Sequence, residues 1–351
     1  MQMQFRLCLL FIFVIHIAYG QSDSQEVCSA HCCFDDTTPA GIMISHAHEK
    51  GEWMFSYRFM AMDMKHVLEG SRKVTSDHVF NNYLMYPDHM RMDMHMLMAM
   101  YGLSDKITLM AMLNYNYNRM TMTMHPGMQH NHGGTSEESS AMKMKTSGLG
   151  DIKLSLIYNL LNKNNSQLLL SPGISIPAGR INITGNAENM YDGIRLPYVM
   201  QMGSGTWDFT PVINYFYNKT RFSFSSQVSS IIRLNTNHLG YKLGNELTLN
   251  NWIAYKWSKP FSSSVRLETA SLQAIKGKDK DLPKDYEPGS NPANYGGEKA
   301  FLYLGTNYYL NTSFLTGSKI SLEFGVPVYQ NLNGPQMAQR FTLFASYSIT
   351  L

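Results

Sequence analysis

The sequence predicts an all-β protein, an antiparallel transmembrane β-barrel of about twelve strands. Polar and apolar residues alternate with a period of two through most of the chain after residue 51, and this is the period of a strand. A secretory signal precedes these segments, and no later stretch is apolar enough for a transmembrane helix. Residues 340–351 alternate up to the C-terminus, as in the strand that closes an outer-membrane barrel.

The N-terminus has the pattern of a signal peptide at residues 1–20. Arg6 precedes the apolar run 7–18, and the small residues Ala18 and Gly20 stand before a cleavage site at Gln21. We therefore expect a periplasmic tail at 21–50 and a barrel at 51–351, in the outer membrane of a diderm bacterium. The expected partners are the lipid bilayer and the barrel assembly machinery. The near balance of 29 basic and 26 acidic residues argues against nucleic acid.

Turn residues divide the barrel region into twelve alternating segments. These are residues 51–66, 90–101, 106–122, 141–161, 167–177, 205–217, 221–234, 241–257, 261–275, 299–310, 318–327 and 338–351. A glycine bulge at Gly148 and Gly150 interrupts the fourth. With both termini in the periplasm, the longer connections mostly fall outside and the short turns inside. Residues 196–202 also alternate, but a thirteenth strand would misplace the C-terminus, so they are assigned to a loop.

Methionine marks one face of the first strands. In the third strand Met110 and Met112 share the even positions with three asparagines, whereas the odd positions are aliphatic and aromatic. In the first strand Arg58 and Ser56 share the methionine face. Because methionine shares its face of the strands with polar residues, the sequence predicts that it lines the water-filled interior of the barrel. The opposite face then contacts lipid.

The methionines and histidines are concentrated in one part of the chain. Of 26 methionines, 20 lie between Met43 and Met144, and ten of 12 histidines lie between His31 and His132. Thioether and imidazole are suitable ligands for copper(I) or silver(I), so we expect a possible copper or silver ion at the outer half of the lumen and no required cofactor. The candidate metal ligands in and above the strands are Met60, Met62, Met64, Met90, Met92, Met94, Met96, Met98, Met120, Met122, Met124, His125, Met128, His130, His132, Met142 and Met144.

The predicted tail adds the candidate ligands Cys28, His31, Cys32 and Cys33. Since Cys8 leaves with the signal peptide, three cysteines remain in an exported protein. Two interpretations stay open: one disulfide with a spare thiol, or a soft-metal site.

Several motifs resemble the bacterial outer-membrane transporter-like family described as "Putative MetA-pathway of phenol degradation", and its Met/His-rich subgroup in particular. The motifs are GEWMFSYRFMAMDM at 51–64, MDMHM at 92–96, GLGD at 148–151, LPY at 196–198, GSGTWD at 203–208, GYKLG at 240–244 and FGVPVYQNLNGP at 324–335. The resemblance implies a barrel with a transport role. It carries no catalytic residues and no defined substrate.

The sequence therefore predicts an outer-membrane channel or transporter whose Met/His-rich lumen contacts a soft metal, with a periplasmic metal-handling protein as a possible partner. Two alternatives remain: a barrel that sequesters metal without transport, or a channel for small organic solutes in which methionine fills the lumen. We do not expect an enzyme, because the sequence contains no Gly-x-Ser-x-Gly element or convincing catalytic triad.

Overall fold

A computed structural model describes residues 36–128, 141–163, 165–185, 193–310 and 317–351. The strands are β1 Trp53–Gly70, β2 Arg72–Val74, β3 Met85–Ser104, β4 Ile107–Met124, β5 Ala141–Leu149, β6 Ile152–Lys163, β7 Ser166–Ser171, β8 Gly173–Ile176, β9 Asp208–Phe209, β10 Val212–Lys219, β11 Phe222–Arg233, β12 Tyr241–Lys242, β13 Glu246–Lys256, β14 Phe261–Leu272, β15 Lys276–Gly277, β16 Gly297–Leu310 and β17 Ser318–Thr350. Helix α1 is Ser76–Phe80, and short 3₁₀ turns lie at Pro126–Met128, Tyr198–Met200, Pro288–Ser290 and Pro292–Asn294. Among these residues no helix is long and apolar enough to cross a membrane.

The large sheet is antiparallel and closes on itself, which confirms the predicted all-β barrel. The ring runs β4, β3, β1, β17, β16, β14, β13, β11, β10, β7, β6 and back to β4. Strands β5, β8 and β9 extend β6, β7 and β10, and the small pair β12–β15 stands apart. The ring has eleven strands in the described part of the chain, so the predicted twelve are not confirmed. The difference lies in β17, which pairs with β16 through residues 318–332 and with β1 through residues 332–350.

Three barrel strands are interrupted at a glycine or a proline. Strands β5 and β6 are separated at Gly150, where an added Cβ would lie 2.1 Å from the Asn114 amide nitrogen. Pro172 separates β7 from β8, and Pro211 separates β9 from β10, because proline has no N–H for the ladder. The predicted glycine bulge in the fourth strand therefore coincides with a real break.

The two ends of the barrel differ. One end carries short turns, such as the one between β3 and β4. The start of β1 at residue 53 and the end of β17 at residue 350 lie at the same end. The other end carries the long connections after β1, β4, β8, β11 and β14. We name these the short-turn end and the long-loop end. Between them, a band of exposed apolar side chains surrounds the barrel, and it includes Phe55, Leu97, Leu113, Leu267, Leu304 and Phe324.

Candidate functional site: a methionine-lined lumen

The methionines of β3 lie on the buried face of the barrel wall. Met90, Met96 and Met100 are 1–2% exposed, whereas Leu97 on the opposite face is 60% exposed. Successive residues of a strand point to opposite faces, so the six methionines at 90, 92, 94, 96, 98 and 100 form one line along the lumen. We refer to these six residues as the methionine column.

Neighbouring strands place further methionines beside this column. Register pairs Met90 with Met64 on β1 and with Met120 on β4, and Met120 in turn with Met144 on β5. Directly opposite residues have Cβ atoms about 4.5–5.5 Å apart. Four strands thus contribute one methionine each to a row across the wall. Further cross-strand methionine partners of the column are Met62, Met60, Met112, Met54 and Met110.

The lumen methionines pack into two clusters. The long-loop cluster has as its buried members Met85, Met90, Met120, Met122, Met142, Met144, Leu196 and Met200, against which Met64, Met92, Met124 and Met337 pack. The short-turn cluster has as its buried members Ile44, Met54, Met96, Met98, Met100, Met110, Met112, Ile157 and Leu169, against which Met43, Met60 and Met94 pack. Every candidate methionine of the strands therefore lies in or against one of these clusters except Met62, which faces Met92 in register.

A loop inserts into the long-loop end, and its role was not predicted from the sequence. The 3₁₀ turn Tyr198–Met200 packs against the wall, with Met200 fully buried. Thr146 donates to the Met200 carbonyl at 2.9 Å, and Asn118 donates to the Val199 carbonyl at 3.4 Å. Lumen asparagines thus hold this loop, because Asn116 also donates to the Met202 carbonyl at 3.4 Å. Residues 196–202 form no strand, as expected.

A second loop covers the same end and is tied to the first. Arg195 lies 3.0 Å from Asp279 and 3.0 Å from Asp281, and the Asp279 N–H donates to the Tyr198 hydroxyl. The Met85 N–H donates to the Tyr286 carbonyl at 2.9 Å, so residues 276–287 also contact the rim of the barrel. We call residues 193–207 and 276–294 together the inner cap.

The inner cap contains a carboxyl group in an unusual environment. Glu287 is 1% exposed, and burial raises the pKa of its carboxyl to about 7. Hydrogen bonds from the Gly289 N–H and from Ser290 oppose this rise in pKa. At neutral pH this carboxyl group is therefore poised between its neutral and its charged form.

Residues 36–48, which we name the N-terminal plug, pack inside the barrel towards the short-turn end. The Gly41 N–H donates to the Glu323 carboxylate at 2.7 Å, and the Arg58 guanidinium donates to the Ile42 carbonyl at 2.9 Å. Gln227 donates to the Ile44 carbonyl at 2.6 Å. The described part of the predicted tail therefore packs against the interior of the barrel.

A buried ion pair anchors this plug. Arg266 and Glu323 are both 1% exposed and bind through two hydrogen bonds of 2.8 and 3.1 Å. Arg266 also donates to Asn250 and Glu268 at 2.6 Å each, and its guanidinium lies 3.8 Å from the Tyr303 ring centroid. Both residues occupy lumen-facing positions of their strands, so the alternation pattern could have indicated them. Nothing in the sequence indicates that they contact residue 41.

Two described histidines near the long-loop end, His89 and His125, make their contacts away from the methionine column. His89 faces outward, opposite Thr121, and binds Asp63 at 2.8 Å. His125 stacks edge-on against Phe80 with ring centroids 5.1 Å apart, and Met128 ends the 3₁₀ turn at the rim. Among the described residues, no group of three His, Cys, Asp or Glu could hold a metal ion. Cys28, His31, Cys32, Cys33, His130 and His132 lie outside the described residues.

Comparison with known proteins confirms the resemblance to this family over part of the chain, whereas the resemblance to its Met/His-rich subgroup stays a prediction. The family model described as "Putative MetA-pathway of phenol degradation" matches residues 127–296. The fold is similar to that of an outer membrane channel from Pseudomonas putida F1, with a TM-score of 0.59 and 15% identity, over 87% of this chain and 97% of the channel. It is also similar to a FadL homologue of Pseudomonas aeruginosa, with a TM-score of 0.43 and 9% identity, over 85% and 90% of the two chains. No curated protein matches.

The structure and these comparisons define a class of protein. The chain is an outer-membrane, channel-like β-barrel of a Gram-negative bacterium. Its outward apolar band is the surface that the lipid of this membrane surrounds.

Proposed function

We propose that this protein is an outer-membrane channel or transporter whose lumen binds copper(I) or silver(I) through methionine thioethers. The methionine column on β3 is the observation that carries the proposal. Its members are spaced by about 6.8 Å, twice the rise of an antiparallel strand. Ten residues of strand extend over about 34 Å, so the column crosses most of a bilayer core about 30 Å thick, even when it is tilted.

The chemistry of the column favours a soft monovalent ion. Thioether sulfur is neutral and polarisable, and it selects soft ions over hard ones. It has no proton to lose, so binding by methionine alone persists in mild acid, where imidazole sites weaken. The row formed by Met64, Met90, Met120 and Met144 offers several sulfur atoms at one level, and it is the strongest candidate for a first binding site. His125 and Met128 at the rim remain candidate ligands for capture.

The packing at the two ends favours a second candidate, which is sequestration of metal without transport. The N-terminal plug packs on the short-turn cluster and the inner cap on the long-loop cluster, so release of a bound ion would require one of them to move. A third candidate is a channel for small organic solutes. The packing of Leu196 and Val199 against the long-loop cluster supports it, because methionine there also serves as apolar filler.

One experiment separates the three candidates. The full-length barrel is reconstituted in liposomes of phosphatidylcholine, and silver(I) binding and silver(I) influx are measured in parallel. Binding with influx above that of protein-free liposomes is the expected result. Binding without influx would indicate sequestration, and the absence of both would favour the solute channel.

We also propose that the barrel crosses the membrane twelve times, with the N-terminus in the periplasm. Strand β16 runs towards the short-turn end and β1 runs away from it, so a strand antiparallel to both must reverse direction. Hydrogen bonds of 3.0 Å between Gln330 and Gln339 fit a turn in β17 between them. An even number of crossings is typical of bacterial barrels, and the short turns then face the periplasm.

This orientation suggests partners for the N-terminal region and for assembly. Cys28, His31, Cys32 and Cys33 would lie in the periplasm, where a metal-handling protein could exchange metal with them. The closing segment 340–351 would be recognised by the barrel assembly machinery. We propose no enzymatic activity for the chain.

A further inference from the structure

The outward face of the barrel carries a basic patch at one side of its long-loop end. Strands β1, β3 and β4 present apolar and aromatic residues near the short-turn end and at mid-height, and these strands and β5 present charged residues beyond them. The register aligns Asp63, Arg91, Arg119 and Lys145 in one row, and Lys65, His89, Thr121 and Lys143 in the next. All of these are odd-numbered positions, on the face opposite the methionine column.

The position of the patch relative to the apolar band is well defined. Leu97 and Leu113 face each other in the band, and His95 and Tyr115 form the row above them. A hydrogen bond of 2.7 Å joins His95 Nδ1 and the Tyr57 hydroxyl. Arg91 and Arg119 come four residues beyond His95 and Tyr115 along their strands, about 13 Å farther along the wall. Aromatic residues mark the membrane interface, so the basic rows lie at headgroup level.

The two acidic residues in the patch form ion pairs with the neighbouring cationic side chains. Asp93 is 8% exposed and binds Arg91 at 2.9 Å and Arg119 at 2.7 Å. Asp63 similarly binds His89 at 2.8 Å and Arg340 at 2.9 Å. Each arginine side chain remains 42–54% exposed, and a guanidinium carries five N–H donors. The carboxylates therefore fix the guanidinium groups while leaving donors directed outward.

A cavity lies within the patch, and six of the eight residues that line it occupy outward-facing, odd-numbered positions of β3, β4 and β5. Its volume is about 230 Å³, and its lining includes Arg91, Arg119, Lys143 and Lys145. Four positively charged side chains around one cavity can bind a phosphate group. Arginine can do so through two parallel hydrogen bonds. The cavity thus combines a size, a charge and a depth in the membrane that fit a phosphorylated headgroup.

The opposite side of the barrel differs at the same height. Above the apolar pair Leu267 and Leu302, the register continues with Thr269 opposite Ala300 and Ser271 opposite Glu298. No Lys or Arg occupies these four outward positions. The basic patch is therefore a local feature of β1, β3, β4 and β5, and a uniform rim of charge would not explain it.

We propose that this patch binds the phosphate groups of lipid A, the membrane anchor of the lipopolysaccharide in the outer leaflet. The long-loop end faces that leaflet in a barrel with short periplasmic turns, and lipid A presents phosphate groups at its headgroup level. The inference depends on placement in the outer membrane and not on metal binding in the lumen. Binding there would immobilise one lipid molecule against β3, β4 and β5.

The test uses the full-length barrel in phosphatidylcholine nanodiscs that contain bisphosphorylated lipid A. The variant combines Arg91→Gln, Arg119→Gln and Lys145→Gln with Asp93→Asn, so that no buried carboxylate is left unpaired. We expect lipid A to bind at least about tenfold more weakly, because three charge-assisted contacts to phosphate are removed. A single Lys145→Gln variant should show a smaller loss in the same direction, and heat-modifiable migration on gels confirms folding of each variant.

The matched control removes three exposed cations at the short-turn end, through Lys163→Gln, Lys219→Gln and Lys259→Gln. Its affinity for lipid A should equal that of the unmodified protein. Three results would overturn the proposal: unchanged affinity in the patch variant, an equal loss in the control, or equal binding of lipid A that lacks its phosphates. Binding of inorganic phosphate alone as tightly as lipid A would also overturn it, since the site would then be one for a free ion.

Discussion

Gly41 determines how closely the N-terminal plug approaches the barrel wall. A Cβ at this position would lie 2.4 Å from Arg266 Nη2 and 2.6 Å from Glu323 Oε2. Both atoms belong to the buried ion pair, which cannot move aside without losing its hydrogen bonds. Separating the partners of such a buried pair costs about 3–5 kcal/mol of stability. We therefore expect a side chain at residue 41 to displace the plug and leave the ion pair intact.

We therefore predict that Gly41→Val displaces the plug while the barrel stays assembled. Single-channel conductance in a planar bilayer should rise above that of the unmodified protein. Gly51→Ala is the control, because a Cβ there meets nothing within 4 Å although the backbone has a positive φ of 88°. Conductance unchanged by Gly41→Val would show that residues 36–48 do not close this end.

Glu287 makes the inner cap sensitive to pH. Its pKa is raised from 4.5 to about 7 by burial, so the cap holds a proton that the free loop would release. The associated stability is fully present below pH 4.5 and is lost as the pH rises through 7. The shift corresponds to about 3 kcal/mol.

Hydrogen exchange within residues 276–294 should consequently be slower at pH 5 than at pH 8, once intrinsic exchange rates are taken into account. Glu287→Gln keeps a neutral side chain of similar shape, and it should remove most of this difference. Equal protection of the unmodified cap at both pH values would contradict the assigned role of Glu287.

At the scale of elements, the C-terminal half of β17 closes the barrel. It pairs with β1 from Met54 opposite Thr350 up to Met64 opposite Gln339. Without it, β1 would expose an unpaired edge to lipid, where each unsatisfied N–H and C=O costs several kcal/mol.

Deletion of residues 340–351 should therefore abolish assembly, measured as the loss of heat-modifiable migration and of membrane insertion. Deletion of residues 36–48 is a control of similar length, and it should leave assembly intact because the plug contributes no strand. Normal insertion of the chain that lacks 340–351 would show that β17 does not close the ring.

Across the whole molecule, period-two alternation was sufficient to predict an antiparallel barrel and the strands near Met90, Met110 and Phe324. It was sufficient because the two faces of a membrane barrel differ sharply in polarity. The parity of residue positions also predicts which side chains face outward. His89 and His95 occupy odd positions, and so do the cations of the basic patch, and this alone places them outside the lumen.

Other features could not be predicted because they depend on contacts between distant residues. The alternation at 196–202 is compatible with a strand, and only its packing against β4 and β5 makes it part of the inner cap. The plug likewise depends on Arg266 and Glu323, more than 200 residues away in sequence. The sequence also divides β17 into two strands, whereas the structure has one continuous run of strand residues.

Methionines late in the chain are unsuitable controls in a test of metal binding. Met200 and Met337 lie after residue 145 and look isolated in the sequence, but both contact the long-loop cluster. A sounder control adds sulfur on the lipid-facing side, through Leu→Met changes at four exposed positions. These are Leu97, Leu109, Leu113 and Leu154.

Silver(I) binding to a variant of the methionine column is the most direct test of the proposed function. Met90, Met92, Met94 and Met96 are all changed to Leu, which is close to Met in volume and costs under about 1.5 kcal/mol at each site. We predict that affinity for silver(I) falls at least about tenfold while heat-modifiable migration is retained, because the variant lacks four thioether ligands. The Leu→Met control should bind silver(I) as the unmodified protein does. Unchanged affinity in the column variant would contradict the proposal and leave these methionines as filler of the lumen.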